Sequence, residues 1–378
     1  MRSIWNSIAD YIRECDKLLF FLCIAASGYG CVAILSATKY LESTRQFVVQ
    51  AAMLLGGVAV TIIISSIDYG KYKKIWPVIL GIGLIPVLLT FVIGYAPAGT
   101  DDKAWLLMPG GFSFQPSELF KITFIITFSL HLEKVGENLN KLRYLIPVLL
   151  HGAAPVVLIH LQGDDGSAII FAVIFLFMLY AAGLKLRYFI IFAVLIVIAA
   201  PIFYFVVMTP EQKARLFVMF NPETDLQGTE WQQWRGRIAL ANGGVFGQGL
   251  FKGQLTQTGV VPESFNDFIF VSIGEELGLV GCSFVLILLA AICIRILRIG
   301  SIAREKTGKL ICVGTFAMLL SQIFVNLGMC LSITPVIGVT LPFFSAGGSS
   351  LLCLFTGIGV VMSVYMHRNS HVMRLIGN

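Results

Sequence analysis

Residues 262–294 read PESFNDFIFVSIGEELGLVGCSFVLILLAAICI, a polar stretch that passes into an apolar run long enough to cross a bilayer. Asp267 lies where the two meet. Because Asp is a favoured N-cap residue, this position is consistent with the start of a helix. A carboxylate that is partly removed from water at such a boundary also becomes more basic, which suits it to abstract a proton. The position of Asp267 leaves both interpretations open.

The composition shows that this apolar run is one of many. Of the 378 residues, 57% are hydrophobic and 13% are charged, whereas a soluble domain carries roughly 25% charged residues. The alternating pattern of membrane barrel strands is absent, so we predict an all-α integral membrane protein with ten transmembrane helices. The fourth and sixth runs are short, and we expect them to tilt, break or insert only partly. The predicted spans are 17–38, 46–66, 75–95, 117–132, 144–161, 166–182, 188–207, 268–294, 310–331 and 346–366.

The distribution of positive charge predicts the topology. Most of the 27 Lys and Arg residues fall in the N-terminus, the C-terminal tail and every second loop. The positive-inside rule therefore places both termini in the cytoplasm. The net charge of +6 reports this topology and contact with anionic lipid, and it gives no reason to expect nucleic-acid binding. The eight cysteines lie in or beside spans, so we predict packing roles without disulfides or metal-ligand spacing.

The predicted outer face carries the longest loops. One covers about 96–116, and the fourth outer loop, about 208–266, is far longer than a connection requires. Aromatic residues among its polar ones, including Trp231 and Trp234, predict short helices at the membrane interface. No tandem repeat or soluble domain is visible, so residues 1–378 are predicted to form a single membrane domain. Any chemistry is expected at the outer face.

Ionisable residues inside spans need an explanation, because each costs about 2.5–3.5 kcal/mol at the bilayer centre on insertion scales. Gln115 and Pro116 open the fourth span, and Pro116 suits the first helical position. Glu118 and Lys121 follow on one face, so they can neutralise each other. The pair is either a helix start with a partnered charge or part of the lining of an internal cavity.

Further charged residues lie on the predicted outer side. Asp164, in the turn between spans five and six, could be solvated, meet an Arg of the long loop, or hold a cation beside a phosphate. Arg235, Arg237 and Lys252 supply positive charge near a glycine-rich run, 242–249, that lacks phosphate-loop spacing.

Two adjacent glutamates lie deeper in the eighth span. Glu275 is roughly 12 Å beyond Asp267 along a helix. Because Glu275 and Glu276 cannot both face lipid, we expect both to have structural roles.

The stretch LPFFSAGGSS, residues 341–350, opens the tenth span. A helix N-terminus preceded by Ser and Gly presents free N–H groups, which suit an anion such as pyrophosphate. The alternative is a loop-to-helix turn made easier by glycine. The residues concerned are Pro342, Ser345, Gly347, Gly348 and Ser349.

These fragments together resemble the SEDS family, the RodA/FtsW/SpoVE group of shape, elongation, division and sporulation polymerases. The similarity follows the order QPSE…K, Q-x-D-x-G-[ST], GGxxGxG, PExxxDFIFxxxxEExGxxG and NxGM…TPxxGxxLPFxSxGGSS over nearly the whole chain. It implies a multi-pass protein of the bacterial cytoplasmic membrane. It also implies peptidoglycan glycosyltransfer from lipid II, with release of undecaprenyl pyrophosphate at the outer face.

The resemblance implies that Asp267 is the essential acidic residue of this chemistry, and we expect its carboxylate to act as the general base. Expected partners are lipid II, undecaprenyl-linked glycan, membrane lipid and a class B penicillin-binding protein that supplies transpeptidation. A divalent cation, Mg²⁺ or Mn²⁺, is a further expectation, for which the sequence shows no ligand spacing. We predict substrate binding by Glu118, Lys121, Asp164, Arg235, Arg237, Ser345, Gly347, Gly348 and Ser349. We predict structural roles for Gln115, Pro116, Glu275, Glu276 and Pro342.

The sequence departs from the family pattern close to Asp267. Phe265 and Asn266 stand where the family often has His and Thr, so no role of that His carries over. Two other functions remain open. A lipid II flippase would use Glu118, Lys121 and the two glutamates of span eight as a charged path, and a non-catalytic scaffold would only recruit a transpeptidase. The motifs are shared by elongation, division and sporulation proteins, so they do not choose among these pathways.

Overall fold

The computed structural model describes residues 11, 13–96, 102–108, 112–210, 213 and 229–368, and most of these lie in long α-helices. Both termini, which we predict to be cytoplasmic, and part of the long outer loop lie outside the described residues. A short antiparallel hairpin, β1 (Leu106–Met108) and β2 (Phe112–Phe114), precedes the fourth helix. The helices are α1 Lys17–Ala37, α2 Arg45–Ser65, α3 Tyr72–Ile93, α4 Pro116–Val135, α5 Leu142–His160, α6 Asp165–Ala182, α7 Leu186–Ile202, α8 Thr229–Gly243, α9 Ile269–Ser301, α10 Lys306–Cys330 and α11 Gly348–Met366.

Apolar helices of membrane-spanning length confirm the all-α membrane class. Within the described ranges, nine helices are long and apolar enough to cross a bilayer, and α4 and α8 are not among them. A helix nevertheless stands at each of the ten predicted positions, α4 at the fourth. The fourth and sixth are unbroken helices of 20 and 18 residues. The count of ten spans stays a prediction.

The helix α4 is polar because protein surrounds it. It packs against α3, α5, α6, α10 and α11, and most of its side chains are buried. Polar groups that would be costly in lipid can therefore find partners inside the bundle. The helix α7 is the opposite case, since it is strongly apolar and none of its residues is buried. Its side chains are suited to contact lipid.

The helix α9 is broken by Gly278, whose φ of 65° and ψ of −161° are not helical. The break frees backbone groups that a continuous helix would pair internally. Residues 243–249, which we call the inserted segment, fill this gap. The amides of Gln248 and Gly249 donate to the carbonyls of Glu275 and Glu276 at 3.0 and 2.9 Å.

The other side of the break is paired in the same way. The amides of Leu279 and Val280 donate to the carbonyls of Gly244 and Val245 at 3.0 and 3.2 Å. The two backbones approach so closely that a Cβ on Gly247 would lie 2.1 Å from the carbonyl oxygen of Glu276. The glycine-rich run therefore provides close backbone packing, a role that the sequence pattern did not reveal.

This geometry predicts unequal effects of two glycine substitutions in the inserted segment. Gly247→Ala should lower the thermal unfolding temperature of the detergent-purified protein strongly, because the new methyl group collides with rigid backbone. Gly244→Ala is the matched control, since its φ is also positive but a Cβ there meets nothing within 4 Å. It should lose only the ~1–2 kcal/mol that a left-handed backbone conformation costs an L-residue. Equal losses would contradict the proposed close packing.

Candidate active site

Asp267 lies in the turn just before α9 and does not cap it. Phe268 occupies the N-cap position, and no side chain provides a capping hydrogen bond. The cap interpretation of Asp267 is therefore wrong. Its carboxylate is half-buried and accepts no hydrogen bond from any residue in the described part of the chain. Burial, and then the negative charge of Glu263, raise the pKa of Asp267 to about 7.

The backbone of Asp267 is held by a buried amide of α10. The Nδ2 group of Asn326 donates to the carbonyl of Asp267 at 2.8 Å and to the carbonyl of Val339 at 2.7 Å. Asn326 is fully buried, so both donors are used in a site without competing water. The turn that carries Asp267 is thereby tied to the loop that follows α10.

The segment before α11 gives the turn a second support. The Ser345 hydroxyl donates to the carbonyl of Asn266 at 2.8 Å and accepts from the amide of Leu341 at 2.7 Å. The amide of Ala346 donates to the carbonyl of Phe265 at 2.8 Å. The residues that replace the usual His and Thr thus contribute their main-chain carbonyls to the support of Asp267.

Gln50 of α2 fixes this segment in turn. Its Nε2 group donates to the carbonyl of Ser345 at 3.0 Å, and its Oε1 atom accepts from the amide of Gly347 at 3.1 Å. The Gly347 amide, a predicted anion donor, therefore already has a partner. Gly348 and Ser349 continue in the first turn of α11. The contacts of Ser345 and Gly347 are those of positioning residues rather than of free ligand donors.

Asp164 joins the starts of α4 and α6. Its Oδ1 atom accepts from the amide of Ser167 at 2.9 Å and so caps α6. Its Oδ2 atom accepts from Gln115 Nε2 at 2.8 Å and from the Ser117 hydroxyl at 3.2 Å. The interpretation as a solvated turn is wrong, because Asp164 is only 8% exposed. No arginine contacts it within the described ranges, and its substrate-binding role stays a prediction.

The start of α6 is linked to Asp267 through the loop that follows α10. A Cβ on Gly166 would lie 2.6 Å from the carbonyl oxygen of Ile337, and one on Gly338 would lie 3.8 Å from the Asp267 carboxylate. The loop 336–341 therefore lies between the start of α6, which Asp164 caps, and Asp267. The sequence-predicted residues Gln115, Asp164, Ser345 and Asp267 are brought to one region of the bundle.

Glu118 and Lys121 form the predicted ion pair inside the bundle. Lys121 Nζ lies 2.7 Å from Glu118 Oε1, and the side chains are 0% and 8% exposed for Lys121 and Glu118 respectively. Pro116 occupies the first helical turn of α4, as predicted. Removal of either charge would leave the other unpaired in an environment without water. Loss of a single partner is therefore expected to destabilise the fold strongly.

The helix α8 places positive charge beside the turn of Asp267. A Cβ on Gly236 would lie 3.3 Å from the ring of Phe268. Arg235 and Arg237 flank Gly236, and the Arg235 guanidinium lies 5.3 Å from the Trp231 ring centre. The Nε atoms of both arginines are buried without a hydrogen-bond partner in the described chain. These cations are available to an anionic ligand.

Glu275 and Glu276 are anchors for the long outer loop. Glu275 accepts from the amides of Leu255 and Thr256, both at 2.8 Å. Glu276 accepts from the Ser36 hydroxyl of α1 at 2.6 Å and from Gln257 Nε2 at 2.8 Å. Both carboxylates are buried and bonded within the protein, and their structural role stays a prediction.

No role was assigned to Gln50 from the sequence, and Asn326 was marked only as the first residue of the NxGM fragment, without a partner. The only local signal is an amide within an otherwise apolar span, which usually indicates an internal partner. Their partners are distant in sequence, so the pairing could not be read from spacing. Among the described residues, no group of three or more His, Cys, Asp or Glu side chains could hold a metal ion.

Comparison with known proteins shows which family the sequence of this chain matches. The FTSW_RODA_SPOVE model, described as "Cell cycle protein", matches residues 16–370. A probable peptidoglycan glycosyltransferase FtsW of Geobacter metallireducens is 31% identical, with 93% of this chain and 95% of that protein covered. The peptidoglycan glycosyltransferase MrdB of Escherichia coli K12 is 30% identical, with 97% and 96% covered.

Two solved structures share the fold. One comes from a study of the structural coordination of polymerization and crosslinking by a peptidoglycan synthase complex. It matches with a TM-score of 0.80 at 25% identity over 94% of this chain and 98% of that one. The other is the rod shape determining protein RodA of Thermus thermophilus, with a TM-score of 0.67 at 25% identity over 94% and 97%.

Proposed function

The chain belongs to the FtsW/RodA/SpoVE family of cell cycle proteins, and we propose that it is a peptidoglycan glycosyltransferase that polymerises lipid II. It is a multi-pass protein of the bacterial membrane, and the reaction takes place at the outer face. The observation that carries the proposal is the Asp267 carboxylate. It is half-buried and unpartnered within the described chain. Three successive main-chain carbonyls of its turn accept hydrogen bonds from neighbouring segments, and these bonds hold the turn in place.

The proposed step is an acid–base-assisted displacement. An Asp267 carboxylate oxygen takes the proton from the 4-hydroxyl of the acceptor N-acetylglucosamine. The O4 atom of that N-acetylglucosamine, freed of its proton, attacks C1 of the lipid-linked N-acetylmuramic acid. The new bond from O4 to C1 forms as the bond from C1 to the phosphate oxygen breaks, and undecaprenyl pyrophosphate leaves. A base whose pKa is about 7 is well matched to this task, because about half of it is ionised at neutral pH and the ionised form is still a good proton acceptor.

Stabilisation of the pyrophosphate is assigned to Arg235 and Arg237. Both are unpaired in the described chain and flank the residue that packs on Phe268. Lys121 is a weaker candidate than its sequence position suggested, because Glu118 already neutralises it. Fixed cations beside a leaving anion are a large catalytic contribution in a site that excludes water.

A divalent cation, Mg²⁺ or Mn²⁺, with a full set of protein ligands does not fit the described residues, which contain no cluster of three potential ligands. Glu263 is the acidic residue whose charge acts on the Asp267 carboxylate. Such an ion would draw most of its ligands from substrate phosphates and water. No step of the proposed reaction passes through it.

The geometry favours the enzyme over the two rival functions. A flippase would need Glu118, Lys121, Glu275 and Glu276 as a charged path, but all four are bonded within the protein. A scaffold would not need an unpartnered carboxylate in a firmly held turn. We propose a class B penicillin-binding protein as partner, in line with the peptidoglycan synthase complex to which the fold is similar. Relatives named FtsW and MrdB leave the pathway open.

Reconstitution tests the proposed activity directly. Protein in liposomes with its transpeptidase partner and fluorescent lipid II is expected to form glycan chains that moenomycin does not suppress. A flippase would instead expose lipid II at the opposite face without chain formation, and a scaffold would do neither. Either of these two results would overturn the proposal.

The pH dependence of polymerisation provides a second test. Below about pH 7 the carboxylate of Asp267 is protonated and cannot act as a base, so kcat/KM should fall about tenfold per pH unit on the acid side. Glu263→Gln removes a negative charge that raises the pKa of Asp267, and it should move this acid limb to lower pH. Glu137→Gln, in the turn that follows the C-terminal end of α4, is the control and should leave the limb in place. If the acid limb of kcat/KM lies at the same pH in the parent and in Glu263→Gln, Asp267 is not the titrating base.

A further inference from the structure

The tip of the inserted segment exposes two large apolar side chains. Val245 is 54% exposed and Phe246 is 82% exposed. The tip is bonded to a part of α9 that is itself exposed, with Leu279 at 62% and Val280 at 54%. Val245 and Phe246 thus continue an apolar surface that belongs to a membrane-spanning helix.

The depth of this surface can be measured along α9. Arg295 marks the cytoplasmic boundary, because its Nε atom donates to Asp16 at 2.9 Å directly before α1 begins. From Arg295 back to Leu279 the helix rises ~24 Å, at ~1.5 Å per residue. Since the hydrocarbon core is ~30 Å thick, Leu279 lies inside its outer boundary.

The helix α1 gives a second estimate of the same level, counted along a different helix from the same cytoplasmic boundary. It has 21 residues from Lys17 to Ala37, which is ~30 Å and so reaches from one boundary of the core to the other. Near its outer end, the Ser36 hydroxyl donates to Glu276 at 2.6 Å. Glu276 is therefore at the outer boundary, and Leu279 and Val280 lie below it.

Non-helical backbone at this depth is stable only if its polar groups are paired, because the hydrocarbon offers no water. The inserted segment meets this condition. Its amides and carbonyls form four hydrogen bonds of 2.9–3.2 Å with α9 on both sides of the break. Such a structure can enter the membrane without leaving these groups unsatisfied.

We propose that residues 243–249 form a re-entrant membrane anchor, with Val245 and Phe246 inserted among the acyl chains of outer-leaflet phospholipids. The partner that covers the exposed tip is the bilayer itself, because the tip is continuous with the lipid-facing surface of α9 and lies at the same depth. The anchor would fix the depth of α8, which directly precedes it, and so hold Arg235 and Arg237 near the phosphate head groups.

Site-directed spin labelling tests this anchor independently of any catalytic activity. All eight native cysteines are buried, so a nitroxide introduced through Phe246→Cys should be the main label, and the parent protein measures the background. The labelled protein is reconstituted in phosphatidylethanolamine–phosphatidylglycerol vesicles. Collision rates with oxygen, which concentrates in the hydrocarbon, and with nickel-EDDA, which stays in water, report the depth of the label. Leu279→Cys is the lipid-facing reference, and Thr258→Cys, on an exposed turn of the same loop, is the aqueous reference.

The expected ratio of oxygen to nickel collisions at position 246 equals that at 279 and is several-fold above that at 258. A ratio equal to that at 258 would place the tip in water and overturn the proposal. Low collision rates with both reagents would show a tip covered by protein, and would overturn it equally. These vesicles contain no lipid II, so a high ratio at position 246 cannot come from the polyprenyl chain of the substrate.

Discussion

Asp267→Asn is expected to reduce lipid II polymerisation by about 10²–10⁴-fold, the usual contribution of a positioned general base. The amide preserves the shape of the side chain but cannot accept the proton of the attacking hydroxyl. No described residue hydrogen-bonds to the carboxylate, so the substitution breaks no contact that holds the turn. The loss should appear in kcat/KM for the reconstituted protein. Glycan synthesis at the parental rate would show that Asp267 is not the base.

The thermal stability of Asp267→Asn shows whether a loss of activity comes from lost chemistry or from damage to the fold. The pKa of Asp267 is raised in the folded protein, so its ionised form disfavours the folded state. This destabilisation begins above the unfolded pKa and is complete above about pH 7. At pH 8 the neutral Asn variant should therefore unfold at a temperature no lower than that of the parent protein. An inactive variant that is also less stable at pH 8 would point to a structural role instead.

Lys121→Met is expected to destabilise the protein by about 3–5 kcal/mol, because it leaves Glu118 charged and unpaired inside the bundle. Lys121 is fully buried and its ammonium lies 2.7 Å from the Glu118 carboxylate. Thermal unfolding of the detergent-purified variant measures the effect. The combined variant Glu118→Gln with Lys121→Met should recover much of the loss, since it removes both buried charges together.

Lys73→Met is the matched control for this experiment. Lys73 also forms ion pairs, with Glu133 at 2.8 Å and Glu305 at 3.0 Å, but its side chain is 46% exposed. An exposed pair contributes about 0–1 kcal/mol, because water solvates both charges when the pair is broken. Equal destabilisation by the two lysine substitutions would contradict the buried, dry environment assigned to Glu118 and Lys121.

Local patterns in the sequence determined much of this protein. Runs of apolar residues predicted the positions of the long helices, since a span depends only on its own length and hydropathy. The Glu118–Lys121 pair was also predictable, because three residues along a helix bring two side chains to one face. Asp267 stood out because its position directly before an apolar run is a property of the chain alone.

Only the tertiary structure decided how these parts support one another. Gln50 and Ser345, and likewise Asn326 and Asp267, meet through packed helices and have no fixed spacing that a sequence reader could recognise. The break in α9 was equally hidden, because Gly278 alone can be read as an ordinary glycine in a membrane helix. Its backbone is satisfied by the inserted segment from the preceding loop. Hydropathy and helical periodicity are local, whereas the pairing of buried polar groups depends on which distant segments the fold brings within hydrogen-bond distance.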